Sequence, residues 1–321
     1  MLLTASYAML TVFTKYLDTG FTVAQQVYLR TAVAFALAAV VFARQVRWRV
    51  IVRAGAREWT VVVVRTALLY VVGTLLFAKA ATMTSVANVS FIAALPLAAA
   101  LGLLLRQVRA TVARLTCVAG SAAGVAIMSG FSPGPGGAWM AWNRGDLIAL
   151  VAVTAMALSY IGREWHGGVL NNSEITTLTV GVGTVGVALV SVAQGQGLPR
   201  LPAELSPVVL WGAIAVAGAL SVLNVFLINY GFDRVDSVKA GNLMTVECVW
   251  GLLFGLAFYQ QIPTMNGLVG GALIVGFAIG LNAAEKGTAT GESEELPRAE
   301  VKRLTSIDPS AEPPDPRDKV A

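Results

Sequence analysis

Long apolar runs separated by short polar ones set the rhythm of this chain. Stretches of about twenty residues, the length that crosses a bilayer as a helix, are predicted at 2–17, 22–43, 59–78, 85–105 and 111–129. A second set follows at 146–163, 174–193, 207–230, 237–258 and 264–284. Between the sets, "GFSPGPGGAWMAWNRG" is rich in the Gly and Pro that mark a linker. Beyond Ala284 the pattern ends. Residues 285–321 are rich in Glu, Pro, Asp and Lys and read as a disordered tail, too polar to bury a core.

The two sets of five resemble each other. "TMTSVANVSFIAALPLAAALG" from Thr82 and "RVDSVKAGNLMTVECVWGLLFG" from Arg234 align without gaps at an offset of 152. Ser85 and Val86 then fall on Ser237 and Val238, and one helix later Gly124 falls on Gly276. An odd number of helices per set sends the second copy into the membrane from the opposite side, which is the inverted repeat of carriers. The expected fold class is an all-α integral membrane protein with ten transmembrane helices as two inverted five-helix repeats. Its first repeat covers 1–129, the linker 130–145, the second repeat 146–284 and the tail 285–321.

Composition agrees with this. Of the 321 residues 56% are hydrophobic and 13% charged, about half the share of charge in soluble domains, and the mean hydropathy is +0.70. No charge occurs from Leu115 to Ala141 or from Asn266 to Ala284. The opening "MLLTASYAMLTVFTKYL" reads as the first span rather than a signal peptide, for it has no basic n-region and no cleavage site. Only about fourteen apolar or neutral residues precede Lys15, short of the roughly twenty that span, so a few further residues are expected before Met1.

The net charge of +5 reflects loop residues, not a nucleic-acid platform. With a cytoplasmic N-terminus the inner loops hold Arg44, Arg47, Arg49, Arg53, Arg57, Arg106, Arg109, Arg114, Arg163, Arg234 and Lys239. The outer loops hold Lys79, Arg144 and Arg200. Eleven against three is the positive-inside bias, and it predicts a multi-pass plasma-membrane protein with both termini cytoplasmic. Cys117 and Cys248 lie inside apolar runs without metal spacing, and a single histidine, His166, falls in a loop. No cofactor or metal is expected.

Ionisable residues inside spans are functional candidates. Glu247 lies within two turns of the middle of its predicted helix, with Trp250 and Gly251 on the same face. It is expected to face the interior and contact a cationic group of the substrate or a coupled proton. Arg30 stands about eight residues into the second helix, deep enough either to bind a substrate carboxylate or to tie the first two helices together. Lys15 is placed to snorkel to the outer surface or to reach the site. Asn224 and Asn229 in the eighth helix, Asn88 and Ser90 in the fourth and Tyr70 in the third are polar groups that serve as interhelical glue or line a pocket between the repeats. The expected substrate-binding set is Glu247, Arg30, Trp250, Lys15, Asn224, Asn88 and Tyr70. Glycines four apart (120/124, 251/255, 267/271 and 276/280) read as close helix packing.

Several stretches resemble the ten-helix, EamA-type branch of the drug/metabolite transporter superfamily. They are "FTKYLDTGFTVAQQVYLRTAVAFAL", "SVANVSFIAALPLAAALGLLL", "RGDLIALVAVTAMALSYIGR", "TVECVWGLLFG" and "GLVGGALIVGFAIGL". The chain departs from that family where a Gly-Glu-Arg turn would follow the fourth and ninth helices, here "LLRQVRAT" and "FYQQIPT". Cys248 replaces the proline after the ninth-helix glutamate, and Tyr7-Ala8 the Trp-Gly pair of the first helix. The resemblance implies a secondary carrier, not an enzyme, moving a small metabolite, amino-acid-like compound or drug by alternating access. Its partners would be that solute, the lipid bilayer and a coupled proton or ion. A membrane-embedded enzyme would need a second intramembrane acid or a histidine partner, and a channel a ring of like charges. Neither pattern is present in the predicted spans.

Overall fold

A computed structural model of the chain describes residues 2–95, 97, 101, 111–128, 143–199, 206–234, 247–281 and 283. Among these residues the regular structure is helical, with no strand. The helices of the first half are α1 (Leu2–Leu17), α2 (Val23–Val41), α3 (Ala56–Met83), α4 (Val86–Ala93) and α5 (Val112–Met128). The second half contributes α6 (Arg144–Ile161), α7 (Asn172–Ala193), α8 (Pro207–Arg234), α9 (Glu247–Tyr259) and α10 (Met265–Leu281). Helices α2, α3, α6, α7 and α8 are long and apolar enough to cross a membrane, and the others are shorter apolar helices. Most of the expected linker, the tail, the second half of the fourth expected span and the first half of the ninth lie outside the described residues.

Side chains such as Val40, Leu189, Val192, Leu253 and Phe258 are large, apolar and exposed, while Gln26, Arg30, Thr31, Glu174 and Glu247 are buried. This inverts the soluble pattern. Hydrocarbon rather than water is the solvent for such a surface, and polar groups turn inward to find partners. The chain is an all-α membrane protein.

Helix ends are set by local side chains. Thr22 and Gln25 form a reciprocal capping box at the start of α2, with Gln25 N–H donating to Thr22 Oγ1 (3.3 Å) and Thr22 N–H to Gln25 Oε1 (3.2 Å). Asn171 and Glu174 do the same for α7. Glu174 also receives Arg47 Nε at 2.9 Å and Nη2 at 3.0 Å, fastening the loop after α2 onto α7. The paired carboxylate raises the Arg47 guanidinium further above its ordinary value, so this clamp is charged at any physiological pH. Ser85 caps α4 through the Asn88 N–H, and Asn143 caps α6 through the Gly145 N–H.

The two halves interlock. Helix α2 packs against α7 and α8, α1 against α8 and α9, and α3 against α6 and α7, while α9 closes on α4. The glycine spacing is used where helices α5 and α10 cross: a Cβ on Gly124 would meet the Gly270 carbonyl oxygen at 2.7 Å. Helix α3 is longer than the 59–78 expected from hydropathy. Its start at Ala56 takes in Arg57 and Glu58, because Glu58 is satisfied by the chain after α6 and needs no water.

Candidate functional site

Within α3 the segment Ala67–Thr74 winds as a π-helix, flanked on both sides by regular α-helix. Such wide turns are costly and concentrate at functional sites. Here Thr74 Oγ1 donates to the Leu69 carbonyl at 2.7 Å, and the ring of Tyr70 is swung against α7. A Cβ on Gly183 would lie 2.5 Å from Tyr70 Cδ2, so only glycine leaves room for this ring.

The π segment forms one wall of a central cavity lined by helices of both halves. Helix α1 supplies Tyr7, Leu10, Thr11 and Thr14, α2 supplies Arg30, and α3 supplies Leu69, Tyr70, Thr74 and Phe77. From the second half come Met156 of α6 and Ser221, Asn224 and Val225 of α8. Apolar side chains with several polar groups converging among them make this a candidate small-molecule site.

Arg30 is 3% exposed. Its Nη1 donates to Thr14 Oγ1 at 2.8 Å, its Nε has no hydrogen-bond partner, and no carboxylate of the described residues pairs with it. Asn224 accepts from Ser6 Oγ through its Oδ1, while its Nδ2 has no partner. Tyr7 shares a hydroxyl contact of 3.2 Å with Tyr160.

The other expected residues divide between the cavity's flank and the far end of the bundle. Glu247 opens the described part of α9, is 2% exposed and has no partner for Oε1. It is not a lining residue, but Tyr7 and Tyr160 both lie within its electrostatic reach. Trp250, one turn on, packs at 5.7 Å on Phe254 and leaves its indole N–H without a partner. Lys15 and Asn88 lie elsewhere. Lys15 Nζ reaches the Thr84 carbonyl at 3.4 Å and stands 5.5 Å above the Tyr259 ring. Asn88 Nδ2 contacts Thr84 Oγ1 and Asp146 Oδ2, at 3.4 and 3.5 Å. The structure therefore brings Arg30, Tyr70 and Asn224 together, sets Glu247 within electrostatic reach of the same cavity, and leaves Trp250, Lys15 and Asn88 outside its lining.

Near the opposite end of α3 is a polar network that hydropathy concealed. Arg65 donates from Nε to the Ser159 carbonyl (2.9 Å) and from Nη2 to Asn229 Oδ1 (3.1 Å), and its Nη1 meets His166 Nε2 at 3.0 Å. His166 Nδ1 contacts Glu58 Oε2 at 2.9 Å, and Glu58 Oε1 accepts the Gly167 N–H. Arg65 can only donate, so His166 must accept at Nε2 and carry its proton on Nδ1 toward Glu58. The ring is neutral. Burial lowers the His166 pKa first, and Arg65 and Arg163 lower it further, against the opposing hydrogen bond it donates to Glu58.

A pH effect on stability follows from that shift. The folded value lies below the ordinary one of about 6.5, so the unfolded chain takes up this proton first as pH falls. Stability from His166 is therefore present above about pH 6.5 and is lost as pH drops toward the folded value. Melting temperature measured from neutral to mildly acid pH should fall for the natural chain. His166→Gln, which can donate and accept without titrating, should flatten the curve; an unchanged slope would assign the acid sensitivity elsewhere.

With this geometry in place, the comparisons with known proteins can be set beside it. Residues 143–283 match the EamA-like transporter family. The chain carries an EamA-type module. The resemblance read from the sequence is thereby upheld, and EamA proteins are transporters of the drug/metabolite type, not enzymes. A protein of known crystal structure superposes with a TM-score of 0.59 at 19% identity, covering 88% of this chain and 93% of that one. At that identity the likeness is one of fold, and it extends well beyond the EamA-matched residues. No match was found among curated proteins. The matched residues cover the second half of the chain, and with the apolar helices they support a multi-pass membrane protein of transporter type.

Proposed function

We propose that this EamA-type chain is a secondary carrier that moves a small metabolite across the plasma membrane by alternating access through the central cavity. The observation that carries this reading is the cavity between α1, α2 and α3 of the first half and α6 and α8 of the second. A site shared between two halves opens to either side when one half rocks against the other. The ten spans, the inverted relation of the halves and the cytoplasmic termini belong to the same proposal, supported by the 152-residue offset and the charge bias of the loops.

Purified protein reconstituted into vesicles loaded with a cell extract tests it. Protein-dependent exchange of one or a few small solutes, read by mass spectrometry against empty vesicles, is expected. Absence of any solute movement by protein shown to be folded and inserted would refute the carrier reading.

A further inference from the structure

We propose that the solute carried through the central cavity is a small organic monoanion, a carboxylate on a compact apolar body, whose carboxylate is bound by Arg30. This rests on the carrier reading and narrows it to a chemical class.

The cavity's charge is the first ground. Among the described lining residues Arg30 is the one ionisable side chain other than the tyrosines, and no acid is among them. A guanidinium 97% removed from solvent is costly unless paired, yet its one described hydrogen bond is to the neutral hydroxyl of Thr14. Elsewhere the same chain pairs its arginine with care. Arg47, far more exposed, has a bidentate carboxylate in Glu174, and Arg65 has three acceptors. Arg30, by contrast with these two, lines the cavity with its Nε unpartnered.

The unused hydrogen-bonding capacity is the second ground. Arg30 Nε and Asn224 Nδ2 are buried donors without partners. Tyr70, on the π segment, lines the same space. Unsatisfied donors around one cation select an acceptor-rich anion, and a planar fork of N–H groups matches a carboxylate in particular. One positive charge balances one negative charge, which favours a monoanion over a phosphate dianion. The remaining lining (Leu10, Leu69, Phe77, Met156 and Val225) is aliphatic, aromatic or thioether and suits an apolar body.

The test compares matched probes on the full chain in detergent: 4-methylpentanoate and 3-phenylpropionate, each against its own primary amide and its own amine analogue. Both acids at millimolar concentration should raise the melting temperature of the natural protein, and the amides and amines should not. Arg30→Gln should abolish the acid-induced shift, while ligand-free Arg30→Met should melt at or above the natural protein, since an unpaired buried charge has been removed. If Arg30 variants fail to fold, Arg30 is a structural tie and the assignment is wrong; the acid-against-amide comparison on the natural chain decides ligand charge independently. Equal shifts from amide or amine, no shift from either acid, or an acid shift retained in Arg30→Gln would each overturn the proposal. None of these results bears on solute exchange in extract-loaded vesicles. The carrier reading fails only if that exchange is absent.

Discussion

Glu247→Gln is expected to reduce transport at least about tenfold, corresponding to roughly 1.4 kcal/mol or more, with folded protein obtained in normal yield. The substitution keeps size and shape and removes only the exchangeable proton and charge. A carboxylate within a span carries an insertion cost of roughly 2.5–3.5 kcal/mol by the scale for aspartate. Glu247 is buried all the same, with an oxygen lacking any partner. No basic side chain of the described residues forms an ion pair with it, so a structural salt bridge does not account for it. Glu247 lies within electrostatic reach of Tyr7, which lines the cavity and touches Tyr160, so its charge is close enough to the cavity to matter for transport. Initial rates per folded protein, measured across pH in reconstituted vesicles, should fall for Glu247→Gln and lose their pH dependence. A wild-type rate with an unchanged pH profile would reduce this carboxylate to a packing group.

Much of this arrangement was legible in the sequence, for reasons that can be traced to particular residues. Apolar runs mark helices because a bilayer leaves the backbone no other partner, and Arg30 and Glu247 stood out because charge is rare there. The same reasoning applied to Arg65, flanked by "VVVV" and "TALLYVV", would have found the second buried cation; its position between two apolar runs let it pass as part of the span. His166 was legible as a loop residue, but its return into the bundle beside Glu58 depends on the 3-10 turn Gly162–Trp165, which hydropathy does not register. The π segment Ala67–Thr74 is likewise invisible in "ALLYVVGT", whose residues favour no wide turn. It packs against α6 and α7, and packing of that kind is long-range information. Lys15 and Asn88 satisfied the same polar-in-span criterion as Arg30 and Asn224. Only tertiary contact separates them, since Asp146 and Tyr259 lie far along the chain from both.

The largest effect on stability is expected from Arg65→Met. Arg65 joins α3 to α6 through the Ser159 carbonyl and to α8 through Asn229, whose Nδ2 reaches Thr176 of α7 at 3.3 Å. Through His166 it also steadies Glu58 at the start of α3. Four helices are therefore held by one planar cation with donors pointing in three directions. Methionine matches much of the stem's length and supplies none of the donors. It leaves the Ser159 carbonyl, Asn229 Oδ1 and His166 Nε2 without their donor. Removing one partner of such a buried set costs about 3–5 kcal/mol, a large part of a total stability on the order of 5–15 kcal/mol. Arg65→Lys should be intermediate, because an ammonium keeps the charge but cannot span three acceptors in fixed directions. Monodisperse yield on size exclusion and melting temperature should rank natural chain above Arg65→Lys above Arg65→Met. A methionine variant that melts with the natural protein would show that these four helices are held by apolar packing alone.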